Sequence, residues 1–257
     1  MDHDLLTPFV ERPHEAGVLM DFDGTLSEIV DDPAAARPIE GAVEVLGLLA
    51  ERLRLVAIVS GRSAHQLLDW LGPDVEIWGL HGAERTADGR VEVAERARPY
   101  LATMNRIADE ARVALDGHGI EVEDKGVMLG LHYRKASDPD AAGRRVHEVA
   151  AKLASDNDLK IGTGRMVVEL KPPVEFSKAD VVRRRAREAG LRAAAFLGDD
   201  LVDLPAYDAL DELRPQGVAT VRVGVDSDEA PESLLERADV IVDGPAGAVE
   251  WLSLLLG

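Results

Sequence analysis

The sequence predicts an α/β protein with a doubly wound, mainly parallel core and a smaller α/β domain inserted into it. Two observations support this fold class. Short runs rich in Val, Ile and Leu alternate with amphipathic segments at both ends of the chain, and such a pattern is typical of parallel strands that helices cover on both faces. The middle of the chain has a different order of elements, which indicates a separate domain.

Each core element follows from its own hydrophobic pattern. In the N-terminal part, apolar runs predict strands and helical periodicity predicts helices: strands at 17–22, 55–60 and 75–80, and helices at 39–53 and 63–71. The same alternation resumes near the C-terminus, with helices at 178–190 and 246–256 and strands at 193–199, 218–224 and 239–243.

The middle of the chain predicts a helix followed by two strands, and then the same order again. The helices cover 98–116 and 139–154, and the strands cover 120–125, 127–134, 159–162 and 165–170. This order indicates an antiparallel sheet with helices on one face. We therefore expect a discontinuous core domain, residues 1–97 and 172–257, and a cap domain, residues 98–171.

Residues alternate along the predicted cap strands, so each strand has one apolar and one polar face. The charged and imidazole side chains share the polar face: Glu121, Glu123, Lys125, His132, Arg134, Glu169 and Lys171. The polar face can be a binding surface, or it can simply face solvent, as one face of many antiparallel sheets does. The strand pattern alone leaves both interpretations open.

Composition excludes several classes of protein. The chain has 29 Lys and Arg against 48 Asp and Glu, a formal charge of −19, so it should repel nucleic acids and anionic membranes. It has no cysteine, which excludes disulfides and thiolate zinc sites. The sequence shows neither a signal-peptide pattern nor an apolar run of bilayer length, so we expect a cytoplasmic protein, compatible with a monomer.

Two groups of carboxylates follow predicted core strands. Asp21 and Asp23 end the first strand in VLMDFDGTLSEI, and Asp199, Asp200 and Asp203 follow the strand AAAFLG. Ligands bind at the carboxyl ends of strands in open α/β sheets, and carboxylates without His or Cys favour Mg²⁺. The five aspartates are therefore the predicted metal ligands. Acidic strand ends that face solvent or cap helices are the alternative for either group alone.

Other residues at these strand ends suit a phosphate. Ser60 and Gly61 end an apolar strand and offer a hydroxyl and a backbone amide, and Thr25 offers both groups after the turn at Gly24. Lys178 adds a positive charge where a predicted helix begins, a position that favours anions. A helix cap at Ser60 and a solvated lysine are the structural alternatives.

Together these residues resemble the four motifs of the haloacid dehalogenase superfamily: D-x-D-G-T at Asp21, a serine at Ser60, Lys178, and G-D-x-x-x-D at Asp199. The resemblance covers the whole core. It implies that Asp21 attacks phosphorus and forms an aspartyl-phosphate. Asp23 would protonate the leaving oxygen and then deprotonate the hydrolytic water, while Mg²⁺, Ser60 and Lys178 neutralise the phosphoryl charge.

The insertion resembles that of the trehalose-6-phosphate phosphatases, which are type-2 capped sugar phosphatases. The stretches WGLHGAE, GIEVEDKGVMLGLHYRKA and RMVVELKP look like motifs of that family, and the resemblance runs from about residue 17 to the C-terminus. It implies a phosphoric monoester hydrolase that converts trehalose 6-phosphate to trehalose. After Gly198 the chain reads DDLVDLPAYDAL where the family has D-D-T-D-E-x-x-F, so substrate preference or metal geometry can differ.

The same resemblance implies which residues hold the sugar. Glu123, Lys125, Arg134 and Glu169 match the positions by which the family binds the distal glucose, and carboxylates and cationic groups suit a field of hydroxyls. Arg62 and His81, on core loops, are predicted to reach the phosphate or the near glucose. His132 is predicted to support its neighbours by packing or hydrogen bonding.

Three rival functions differ from this prediction in class or substrate. A phosphatase for sucrose-, mannosylglycerate- or glucosylglycerol-phosphate would differ only in its cap contacts, which the fold does not reveal. A non-catalytic phospho-sugar sensor would not need Asp21 and Asp23. Both residues are present, which disfavours this function. An aspartate-phosphorylated signalling receiver has no place for the insertion.

Overall fold

A computed structural model describes residues 3–30, 33–164, 166–227 and 230–257. It confirms the predicted fold class, because a six-stranded parallel sheet and a separate four-stranded antiparallel sheet are both present. Arg165, the first residue of the predicted strand 165–170, lies outside the described residues. No helix in the described part of the chain has both the length and the hydrophobicity that crossing a bilayer requires.

The chain divides into two compact units. The core unit consists of Met1–Glu92 and Phe176–Gly257, and the cap unit consists of Val93–Glu175. The predicted cap domain, residues 98–171, lies within the cap unit. Each unit has its own sheet and its own hydrophobic core.

The strands and helices are numbered in chain order. The strands are β1 (Ala16–Met20), β2 (Leu55–Val59), β3 (Glu76–Trp78), β4 (Glu84–Ala87), β5 (Arg90–Val93), β6 (Glu121–Asp124), β7 (Leu129–His132), β8 (Lys160–Gly164), β9 (Val167–Lys171), β10 (Ala193–Gly198), β11 (Ala219–Asp226) and β12 (Val240–Asp243). The helices are α1 (His3–Glu11), α2 (Ala42–Arg52), α3 (Ala64–Leu71), α4 (Leu101–Ala114), α5 (Pro139–Asn157), α6 (Lys178–Glu188), α7 (Leu204–Leu213), α8 (Glu232–Leu235) and α9 (Gly244–Leu254).

The parallel sheet of the core unit has the strand order β12-β11-β10-β1-β2-β3. From β1 the chain builds outward through β2 and β3, and it later returns to the other side of β1 with β10. The strand order therefore reverses between β1 and β10, and ligands of open α/β sheets bind beside such a reversal. Apolar side chains alternate between the two faces of β1: Val18 and Met20 pack with α2, α3 and α9, whereas Leu19 packs with α6 and α7.

The antiparallel sheet of the cap unit has the order β6-β7-β9-β8, and the helices α4 and α5 pack on one of its faces. Leu129, Leu131, Val168 and Leu170 are buried beneath these helices. This burial confirms the apolar face that the alternation predicts. The opposite face carries the polar residues, although Met128, which the alternation assigns to it, is also buried.

The prediction lacks the helices α1, α7 and α8 and the β4–β5 hairpin, all of which the structure contains. Helix α7 begins just after the acidic motif, at Leu204, with Pro205 in its first turn. Proline is tolerated there because the first N–H groups of a helix have no intrahelical partner. Pro205, which suggests a loop in the sequence, therefore lies in the first turn of a helix.

Candidate active site

The candidate site begins where three neighbouring parallel strands end. Strand β1 lies between β10 and β2, and Met20 pairs with Leu197 of one and Ile58 of the other. The next polar residues along these strands are Asp21, Ser60 and Asp199, which lie at the same edge of the sheet. The register therefore brings together three segments that are far apart in the sequence.

A buried lysine links the two acidic groups. The Lys178 ammonium lies 2.6 Å from Asp21 Oδ2 and 2.7 Å from Asp203 Oδ1. Lys178 is the first residue of α6, and the Ser177 hydroxyl caps that helix by accepting the Asp180 N–H. Burial alone would lower the pKa of Lys178, but the carboxylates of Asp203 and Asp21 raise it above its ordinary value. The lysine is therefore a fixed cation inside the site.

Both oxygens of the Asp21 carboxylate are held in place. Oδ1 accepts the backbone N–H of Phe22 at 2.7 Å, while Oδ2 faces the Lys178 ammonium. Burial raises the pKa of Asp21, although Lys178 opposes that shift and the negative charge of Asp203 adds to it. A carboxylate that is oriented by two donors and partly shielded from water suits a nucleophile.

Asp199 is held by Thr25 across the turn that follows β1. The Thr25 hydroxyl donates to Asp199 Oδ1 at 3.1 Å. Burial, together with the charges of Asp21 and Asp203, raises the pKa of Asp199 to about 8. One ammonium is thus too little positive charge for the three buried carboxylates.

Two glycines allow the acidic groups to approach the backbone. Gly24 has a φ of 71°, and a Cβ there would lie 1.9 Å from Asp199 Oδ2. A Cβ at Gly198 would lie 2.4 Å from Asp203 Cγ. Neither position accepts a side chain without displacing a carboxylate of the site.

Three carboxylates could hold a metal ion. Asp21, Asp199 and Asp203 are buried and offer oxygen atoms that all lie within 4.8 Å of one another. Hard oxygen ligands with excess negative charge suit a hard divalent cation such as Mg²⁺. The chemistry of these donors therefore fits a metal.

The structure places the other two predicted metal ligands in different surroundings. Asp23 is ion-paired with Arg62, whose guanidinium lies 2.6 Å from Asp23 Oδ1. Asp200 is exposed and forms a capping box with Asp203 at the turn Leu201–Asp203. A role for Asp23 or Asp200 as a metal ligand stays a prediction.

A second loop supports the Ser60–Gly61 segment. The backbone N–H of His81 donates to the Ser60 carbonyl at 2.8 Å. Its imidazole packs against Gly61, where a Cβ would lie 3.1 Å from the ring. His81 has a φ of 57°, a conformation that non-glycine residues rarely adopt. The strained His81 thus contacts the loop that is predicted to bind phosphate.

Glu84 also positions this loop, and it is not among the predicted site residues. It is buried, and its carboxylate accepts the Ala64 N–H at 2.8 Å where α3 begins. Burial raises the pKa of Glu84, although that hydrogen bond opposes the shift. The signal for such a role is the position of Glu84 in WGLHGAE, where it is the only carboxylate.

In the cap unit, the polar face of the sheet carries a network of charged groups. Lys125 Nζ lies 3.3 Å from Glu123 Oε2 and 3.5 Å from Glu169 Oε1. His132 Nε2 lies 2.8 Å from Glu123 Oε2, in agreement with the supporting role predicted for it. Burial opposes ionisation of Glu123, but the His132 hydrogen bond and the Lys125 charge lower its pKa below the ordinary value.

Lys171, which is not among the predicted site residues, belongs to the same network. Its Nζ lies 2.6 Å from Glu169 Oε2, and Lys171 and Lys125 lower the pKa of Glu169 against the effect of burial. Arg134 lies in the turn beyond β7, where it is exposed. Three of the four predicted sugar-binding residues, Glu123, Lys125 and Glu169, thus form one ion-paired cluster, whereas Arg134 lies in the turn after β7 and not on the predicted strand.

Glycines leave space between the carboxylates of this face. Gly130 pairs with both Glu123 and Glu169 in the sheet, and Gly162 pairs with Glu169 on its other side. A Cβ at Gly130 would lie 2.9 Å from His132 Nε2, and one at Gly162 would lie 3.1 Å from Lys171 Cε. Carboxylates and glycines therefore alternate across the paired strands, in the order Glu123, Gly130, Glu169 and Gly162.

Comparison with known proteins identifies one family and several relatives. The sequence profile of the Trehalose-phosphatase family matches residues 19–238. The trehalose-phosphate phosphatase of Mycobacterium avium (strain 104) is 38% identical over 253 residues, which cover 93% of this chain and 61% of that protein. That of Mycobacterium marinum (strain ATCC BAA-535 / M) is 38% identical over 258 residues, which cover 96% of this chain and 62% of that protein. The chain thus spans about three fifths of the length of these curated relatives.

A solved structure has the same fold. The C-terminal domain of the trehalose-6-phosphate phosphatase of C. albicans superposes with a TM-score of 0.72, covering 100% of this chain and 97% of that one. The two sequences are 24% identical, so this likeness concerns the architecture: a parallel sheet with an inserted antiparallel sheet.

Proposed function

This chain belongs to the trehalose-phosphatase family, and we propose that it hydrolyses trehalose 6-phosphate to trehalose and phosphate in a Mg²⁺-dependent reaction. The observation that carries the proposal is the ion-paired cluster at the strand ends, where buried Lys178 lies between Asp21 and Asp203. A buried nucleophile beside a fixed cation is what phosphoryl transfer requires.

In the proposed first step, Asp21 attacks the phosphorus atom. An Asp21 carboxylate oxygen forms the new bond to phosphorus, and the bond between phosphorus and the sugar oxygen breaks. Asp23 donates a proton to that oxygen, so trehalose leaves as a neutral alcohol. Lys178, the Ser60 hydroxyl and the backbone N–H groups of Thr25 and Gly61 are proposed to bind the phosphoryl oxygens.

In the proposed second step, water attacks phosphorus in the aspartyl-phosphate. Asp23, now ionised, accepts the proton of the water, and the bond between phosphorus and Asp21 breaks to release phosphate and the free carboxylate. Asp21, Asp199 and Asp203 would hold Mg²⁺, which supplies positive charge beside the transferring phosphoryl group. Asp23 and Asp200 remain further proposed ligands.

The sugar is proposed to bind through the polar cluster of the cap unit. Its carboxylates can accept from glucose hydroxyls, and its lysines and Arg134 can donate to them. His81 is proposed to contact the phosphate or the near glucose. The charged cluster supports a sugar phosphate as the substrate class, whereas the family membership supports trehalose 6-phosphate in particular.

Phosphate release from a panel of sugar phosphates tests this function. The chain is expected to hydrolyse trehalose 6-phosphate with a higher kcat/KM than sucrose 6-phosphate, glucosylglycerol phosphate, mannosylglycerate phosphate or glucose 6-phosphate. Removing divalent ions with EDTA should abolish turnover, and added Mg²⁺ should restore it. Faster turnover of another sugar phosphate would replace the proposed substrate. Tight binding of trehalose 6-phosphate without phosphate release in Mg²⁺ would instead indicate a sensor.

Glu123→Ala tests the role of the cap cluster. We expect it to raise KM for trehalose 6-phosphate by about 10- to 100-fold, because hydrogen bonds between a charged group and sugar hydroxyls are lost. KM for p-nitrophenyl phosphate, which has no sugar, should change little. Glu121→Ala is the matched control, since Glu121 is on the same strand but pairs with the exposed Lys135. Equal effects of Glu123→Ala on both substrates would exclude the cluster from sugar recognition.

A further inference from the structure

We infer that Arg62 is a positioning residue, which holds the carboxylate of Asp23 in one orientation, and that it does not bind the substrate directly. The inference rests on the proposed function, in which Asp23 transfers the proton to and from the reacting oxygen. It replaces the prediction that Arg62 reaches the phosphate or the near glucose. Its basis is the set of contacts that Arg62 makes inside the core unit.

The guanidinium of Arg62 holds both oxygens of Asp23. Arg62 Nε lies 3.0 Å from Asp23 Oδ1 and 2.7 Å from Oδ2, and Nη2 lies 2.6 Å from Oδ1. Such a planar two-sided contact fixes the plane of a carboxylate as well as its distance. A single ammonium group could not impose the same orientation.

The remaining donors of Arg62 are largely occupied. Nη1 donates to the Pro33 carbonyl at 2.8 Å and to Gln66 Oε1 at 3.4 Å. An arginine side chain has five N–H groups, and these contacts together with those to Asp23 leave one of them, on Nη2. A substrate phosphate would therefore have to displace existing hydrogen bonds to gain a two-sided contact with Arg62.

Burial and stacking hold Arg62 itself. Its side chain is 11% exposed, whereas that of Asp23 is 41% exposed. The guanidinium carbon lies 5.1 Å from the centre of the Trp70 ring and 5.7 Å from that of Phe22, within the range of cation–π attraction. The arginine is thus the fixed partner, and Asp23 keeps an accessible side from which it can exchange a proton.

The backbone of Arg62 also ties this pair to the serine loop. Its N–H donates to Ser60 Oγ at 3.2 Å, and its carbonyl accepts the Leu80 N–H at 2.9 Å. Arg62 therefore links the segment after β2 to the segment after β1. The orientation of Asp23 depends on this link, because a misplaced acid cannot reach the leaving oxygen.

The test compares two substrates that differ in their need for a proton. A sugar oxygen must be protonated as its bond to phosphorus breaks, whereas p-nitrophenolate is stable enough to leave as an anion. Arg62→Ala is expected to lower kcat/KM for trehalose 6-phosphate by about 100-fold, within the usual contribution of a general acid, and to change kcat/KM for p-nitrophenyl phosphate little. Arg62→Lys keeps the positive charge but cannot make the bidentate contact with Asp23. It should therefore show the same selective loss of kcat/KM for trehalose 6-phosphate.

Arg37→Ala is the matched control, because Arg37 also stacks on Trp70, at 5.0 Å, and its guanidinium donates to the carbonyls of Ala34 and Ala36. This variant should have the wild-type kcat/KM for both substrates. In an Asp23→Asn background, Arg62→Ala should cause no further loss on trehalose 6-phosphate, since the group that it positions is gone. Circular dichroism checks that each variant is folded.

Equal losses of kcat/KM on both substrates, or a fully active Arg62→Lys variant, would overturn the inference and restore Arg62 as a phosphate ligand. Failure of the proposed function has a different signature. The wild-type chain would then release no phosphate from trehalose 6-phosphate, and the same comparison of variants would be made with the alkyl phosphate that it does hydrolyse.

Discussion

Asp21→Asn is expected to abolish phosphate release and to leave the fold intact. The amide has nearly the same shape as the carboxylate, so Phe22 and the surrounding strands keep their packing. It is not a nucleophile, however, and no aspartyl-phosphate can form. We expect turnover of trehalose 6-phosphate and of p-nitrophenyl phosphate to fall by at least about 10⁴-fold, in keeping with the loss of a covalent nucleophile.

Phosphate release and thermal unfolding together check this result. Asp156→Asn is a control for loss of one acidic charge, since Asp156 is an exposed residue that pairs with Lys152 in the cap unit. It should retain wild-type activity. Turnover by Asp21→Asn in a folded protein would show that another group attacks phosphorus, or that water attacks directly.

Lys178→Met is expected to cause the largest loss of stability. The side chain is 1% exposed and lies against two buried carboxylates, so the substitution keeps most of the apolar volume and removes the charge. Breaking a buried ion pair by removing one partner costs about 3–5 kcal/mol. We therefore expect the free energy of unfolding, measured with urea, to fall by about that amount, and we expect phosphate release to be lost.

Added Mg²⁺ makes this measurement more specific. If a divalent ion binds Asp21, Asp199 and Asp203, it should stabilise Lys178→Met more than the wild-type chain, because it supplies the missing positive charge. Lys152→Met is the control: it removes an exposed lysine that pairs with Asp156, and it should leave the free energy of unfolding almost unchanged. A Lys178→Met variant as stable as the wild-type chain would mean that the cluster does not depend on its lysine.

The sequence predicts the fold well because each core strand has a strong local signal. Val18, Leu19 and Met20 are all buried, and they pack on opposite faces of β1. An uninterrupted run of apolar residues is typical of a strand that is covered on both faces. The ends of these strands follow from the same signal, so the region of the candidate site is predictable too. Helix α7 is harder to predict, since it begins immediately after the acidic motif and has Pro205 in its first turn.

The partners of individual charged groups could not be predicted in the same way. An arginine such as Arg62 can pair with any nearby carboxylate or carbonyl, and only the folded chain brings Asp23 and Pro33 within its reach. Asp200 illustrates the converse: its position in the motif suggests a metal ligand, whereas its local geometry is that of a helix cap. Residue type and spacing limit the chemistry of a group, but its partners depend on tertiary structure.

The contrast between the two pairs of glycines indicates where a mutagenesis library should be directed. At Gly24 and Gly198 any added carbon collides with carboxylates that are themselves buried and fixed, so randomising these codons would yield mostly inactive clones. At Gly130 and Gly162 the nearest atoms belong to the ends of the His132 and Lys171 side chains, which can rotate away. If the cap unit binds a sugar as proposed, a library that seeks a different sugar preference should vary Gly130 and Gly162 and leave Gly24 and Gly198 unchanged.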